Sequence, residues 1–82
     1  MAESGCAMMK RQAKTQREEI HRSRRSVTEF EAKIRALEAE PEPDQAQIWA
    51  LKQAVQRLGQ KVEEDERALF DLESVITENC RP

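Results

Sequence analysis

Two heptad registers, mirrored about Pro41-Glu42-Pro43, constrain this chain more than any other feature of it. Before the prolines, Cys6, Met9, Ala13, Gln16, Ile20, Ser23, Val27, Phe30, Ile34 and Leu37 recur at alternating spacings of three and four. After them, Ile48, Leu51, Val55, Leu58, Val62, Asp65, Leu69, Leu72, Ile76 and Asn79 do the same. Each row is the a/d stripe of an amphipathic helix. When the chain folds back at the prolines, facing position numbers sum to 85: Leu37 meets Ile48, Val27 meets Leu58 and Met9 meets Ile76. Every a position then meets a d position, the pairing an antiparallel coiled coil requires. The pattern predicts an all-α fold, an antiparallel two-helix coiled-coil hairpin with the capacity to pair into a four-helix bundle.

Local signals place the boundaries. Residues 1–5 carry no periodicity and are expected to be flexible, with Ser4 positioned to cap a first helix over 6–39. Pro41 stops that helix, because proline disfavours helical geometry at Glu40 and has no amide proton to donate. A proline-containing turn follows over 40–45, and Asp44 caps a second helix over 46–80 with Gln47 in capping-box spacing. Each helix is expected to be roughly 50 Å long, from about 33 residues at 1.5 Å each. The whole forms a single helical-hairpin domain.

Charge repeats the message of the apolar stripe. Residues 10–25 hold seven Lys or Arg against Glu18 and Glu19, a balance of +5, whereas residues 63–78 hold seven Asp or Glu against Arg67, a balance of -6. Folding back at the prolines lays these blocks side by side. On the e edge, point-for-point reflection puts Glu31 by Lys52, Arg17 by Glu66, Lys10 by Glu73 and Arg24 by Gly59, with no like-charge meeting. Such exposed pairs select orientation more than they add stability.

The middle of the seam is polar, at Gln16, Ser23 and Asp65. These three read as a register-setting layer, with Arg17 or Arg24 in reach of Asp65, in preference to a catalytic carboxylate. His21 is the only histidine and falls on an outward b position among arginines, which gives it no metal-binding or nucleophilic company. Cys6 and Cys80 meet at the open end of the hairpin. They read either as a disulfide, stabilising by roughly 4 kcal/mol on the chain-entropy model, or as two reduced thiols. The first places the chain in an oxidising compartment and the second in the cytoplasm.

Two further groups of residues lie outside the seam. Arg11, Lys14, Arg22 and Arg25 point outward from the first helix as candidate nucleic-acid contacts. In general shape such a basic helical arm resembles the RNA-binding projection of some tRNA synthetases. Against that reading, no aromatic residue interleaves with the basic ones, the acidic helix alongside cancels most of their local field, and the sequence pI is about 5.5. The second group is Trp49, Phe70 and Gly59, with Ala54, Ala68 and Val75 on the g edge. Large rings and small residues outside a thin hairpin mark a contact surface for a partner.

With charged residues at 37% and aromatics at 4%, 82 residues supply no broad core, and a seam this narrow calls for a staple or a partner. The expected function is therefore a non-enzymatic module for protein-protein interaction, oligomerisation or structure. Its partner is a second copy, as a homodimer, or another helical protein. A nucleic-acid-binding arm is the competing reading. No convergent acid, base and nucleophile suggests an enzyme, no cofactor, metal or small-molecule substrate is implied, and no apolar run is long enough to enter a membrane.

Overall fold

Helix formation begins where the sequence offers a cap. A computed structural model describes residues 4–80, and in it the Ser4 hydroxyl accepts the Ala7 amide proton at 3.1 Å to open α1, Gly5–Glu38. Within the segment expected to be flexible, Ser4 is thus the cap and Gly5 the first helical residue; positions 1–3 lie outside the described residues. The helix closes with Ala39 donating to the Arg35 carbonyl and Glu40 to that of Leu37 at 3.2 Å, a tightened last turn just before Pro41. The Asp44 carboxylate then accepts from the Gln47 amide at 3.1 Å and opens α2, Gln45–Asn79. Each helix starts and ends one residue earlier than the heptads alone suggest, because the cap and not the first seam residue sets the start.

The two helices pack against each other along their lengths as an all-α hairpin measuring 61 × 22 × 16 Å. Its core is a line instead of a mass. Ala13, Ile20, Ile34, Ile48 and Leu69 are buried, and Val62, Leu72 and Ile76 pack around the Ala13, Ile20 and Leu69 cluster. Every seam position of α1 is at least half-buried, and so is every seam position of α2 except the last. Asn79 is exposed, and its side-chain amide donates to the Val75 carbonyl of its own helix at 2.9 Å. The stripe therefore ends one position sooner than its spacing implies, at the last residue of α2, where Cys6 of α1 is bonded to Cys80.

At the open end Cys6 and Cys80 are joined by a disulfide, with their Cα atoms 5.7 Å apart. That separation lies within the usual range for a bridge. Of the two readings of these cysteines, the structure contains the bond. Cys6 stands in the first turn of α1 and Cys80 caps α2, so the bridge clamps both helix ends where fraying begins.

Candidate functional site

The polar centre of the seam is built from one satisfied group and one unsatisfied one. Asp65, its side chain 31% exposed, accepts a hydrogen bond from Lys61 at 2.8 Å, one turn earlier on the same helix. Lys61 is held charged above its usual range by that hydrogen bond and by the Asp65 charge, with Glu19 across the seam adding to the effect. The arginines expected to reach Asp65 are engaged elsewhere. Ser23 is half-buried beside this layer, and the Gln16 side-chain oxygen is buried with no hydrogen-bond partner. An acceptor stranded in this way costs about 1–3 kcal/mol, which fits a role in fixing register.

On the e edge, Arg17 pairs with Glu73 at 3.5 Å, Arg24 with Glu66, and Lys52 with Glu38 at 3.4 Å. Each of these partners lies one heptad beyond the one that point-for-point reflection assigns. The cause is the direction of the side chains. Helical side chains lean towards the N-terminus of their own helix, and in antiparallel helices those leans are opposed. Arg17 leans towards the open end while Glu73 leans away from it, so the two converge, whereas Arg17 and Glu66 lean apart. Arg24, which point-for-point reflection leaves beside Gly59, accordingly finds a carboxylate.

Two of these ion pairs frame an open cleft of about 440 Å³. Ile20 and Leu69 form its floor, Arg17–Glu73 and Arg24–Glu66 close its two ends, and His21 and Phe70 stand on its sides. His21 is exposed, as its outward position implies, and its ring lies 3.2 Å from the Arg25 guanidinium. Its place beside Phe70 across the e edge is a neighbourhood the linear reading missed. The available signal was that His21 and Phe70 both hold b positions, which flank the same e edge.

Trp49 and Phe70 are 66% and 71% exposed, the most open of the large apolar side chains among the described residues. Gly59 is half-buried between them along α2, and a Cβ built on it meets nothing within 4 Å. Ala54, Ala68 and Val75 lie on the other flank, about 140° around the helix from Trp49 and Phe70 at 3.6 residues per turn. The six positions proposed as one contact surface thus occupy two edges. The aromatic pair and Gly59 share one; the small apolar residues share the other, where Ala54 is half-buried and Ala68 and Val75 are exposed. Arg11, Lys14, Arg22 and Arg25 are all exposed on α1. They spread over its b, c and f positions and do not form a single row.

Among the described residues no helix is long and apolar enough to cross a membrane, and no group of three His, Cys, Asp or Glu is placed to hold a metal ion. Fold and edge together define the class: an antiparallel helical hairpin, tied by a disulfide, with an aromatic outer edge. No family model matches the chain, and no curated protein or solved structure is significantly similar to it.

Proposed function

We propose that this hairpin is a protein-association module, a rod whose outer α2 surface binds helices of a second copy or of another protein. The observation that carries this reading is the exposure of Trp49 and Phe70 on a hairpin whose seam is filled without them. Large rings left in water forfeit burial energy of about 1.5–3 kcal/mol each, and aromatic residues are enriched where proteins meet. The role is non-enzymatic: it uses length, shape and edge charge, and no reacting group. The Cys6–Cys80 bridge favours an oxidising compartment, since such bonds persist where thiols are not kept reduced.

Sedimentation equilibrium across the micromolar range, read together with Trp49 fluorescence, tests the proposal. Association is expected to rise with concentration or with added helical partner, to shift the indole emission to the blue, and to weaken in Trp49→Ala and Phe70→Ala. A chain that stays monomeric, with Trp49 emission fixed at its water-exposed position, counts against it. RNA or DNA binding that falls steeply with salt and vanishes when Arg11, Lys14, Arg22 and Arg25 become Gln would favour the arm reading instead.

A further inference from the structure

We propose that the surface on α2 fits a second copy of this same helix, laid antiparallel, with the molecular two-fold axis passing beside Gly59. The inference rests on the association reading above and names its partner and geometry. Its starting point is the residue least explained by the hairpin itself. A glycine in mid-helix is unfavourable relative to alanine, yet nothing in the hairpin occupies the space a Cβ at Gly59 would take. The backbone there is open on the same side as Trp49 and Phe70. An opposing helix that crosses at this point uses the missing side chain to come close.

Self-complementarity of the flanking residues selects the occupant. Trp49 and Phe70 lie at nearly equal distances on either side of Gly59 along α2, at spacings that alternate three and four through Lys52, Gln56, Glu63 and Glu66. Rotating a second α2 about an axis at Gly59 sets each Trp49 on the opposing Phe70, each Lys52 on the opposing Glu66 and each Gln56 on the opposing Glu63. No like charges meet along this line, and each contact occurs twice, as an isologous interface requires. A parallel arrangement in the same register sets Glu63 on Glu63 and Glu66 on Glu66, which like-charge repulsion opposes.

The hairpin's own ion pairs extend the match. Glu66 is already held by Arg24 and Lys52 by Glu38. Joining the opposing Lys52 to Glu66 produces a chain of alternating sign on each side of the axis: Arg24, Glu66, then Lys52 and Glu38 of the second copy. Each Trp49 also comes to the side of the cleft where Phe70 stands over the Ile20 and Leu69 floor. It covers apolar surface between two guanidinium groups, the setting in which an indole face attracts a cation.

Two measurements test this geometry. In the first, chains carrying Gln56→Cys are mixed with chains carrying Glu63→Cys and joined by a short thiol crosslinker, with the Cys6–Cys80 bridge intact. Mixed dimers are expected and self-dimers of either variant are not. In the second, Gly59→Ala and Gly59→Leu are compared with the native chain by sedimentation and by melting of the dilute monomer. The leucine variant is expected to raise the dimer dissociation constant about tenfold or more, as steric overpacking at the crossing demands. The alanine variant is expected to leave the monomer's melting temperature unchanged or raised. Dimers that crosslink Gln56→Cys to itself, or that ignore Gly59→Leu, overturn this geometry while leaving association itself intact. A chain that forms no dimer at high micromolar concentration overturns the geometry as well. If its Trp49 emission also ignores helical partners, the wider reading falls with it.

Discussion

Gln16 shows how a single side chain can trade stability for definition. It faces a seam that is otherwise closed by Leu69, and its buried oxygen finds no donor. Replacing it with leucine removes the stranded acceptor and extends the apolar line, so Gln16→Leu is expected to raise the unfolding free energy by about 1–2 kcal/mol. Urea denaturation would read this as a higher midpoint at unchanged slope; a lower midpoint would mean that the amide has a partner in solution. The polar layer of Gln16, Ser23 and Asp65 was visible in the heptads, because a break in an apolar stripe is a one-dimensional signal. The partner of Asp65 was not. Lys61 wins over Arg17 and Arg24 because it stands one turn away on the same helix, while Glu73 and Glu66 draw the arginines off.

At the scale of the helix pair, what the seam and the edge reveal differs in kind. Seam residues point straight at the opposite helix, so counting threes and fours is enough to place them. Edge residues are long and tilted, and counting positions treats them as points. The residue facing Arg17 is Ala68, which is nearer in number to Glu66 than to Glu73, so counting favours the wrong partner and the lean of the side chains reverses the choice. A double-mutant cycle on Arg24→Gln and Glu66→Gln is therefore expected to give a coupling energy of about 0.2–1 kcal/mol that shrinks with added salt. The cycle on Arg17→Gln and Glu66→Gln should give none, and the reverse ranking would restore point-for-point reflection. The outer stripe of α2 was equally present in the sequence but hidden by its chemistry. Only Trp49 and Phe70 in it are large and apolar, and its logic becomes readable once Gly59 is seen to face open space.

For the whole molecule, the sulfur bridge matters more than any pair of side chains. It closes a loop with a sequence separation of 74 and restricts the unfolded chain more than the folded one. Reduction, or the double substitution Cys6→Ser and Cys80→Ser, is expected to remove roughly 4 kcal/mol of stability on the chain-entropy model. A thermal melt with and without reductant measures the loss, and coincident curves would show that the ends contribute nothing. The sequence brought the two thiols to one end of the rod, yet spacing alone leaves a bridge undecided, because bonding needs a Cα separation that a small shift in register would spoil.

Because the turn ties the two helices at one end and the bridge ties them at the other, neither helix is a free arm. Two such molecules can stack and part, but neither can lend a helix to the other while the sulfurs stay joined. Isotope-labelled and unlabelled copies, mixed and separated again, must each leave with both of their own helices. Only a reductant opens the route to swapped forms, so the redox state of the surroundings decides whether this rod remains an individual or becomes interchangeable with its neighbours.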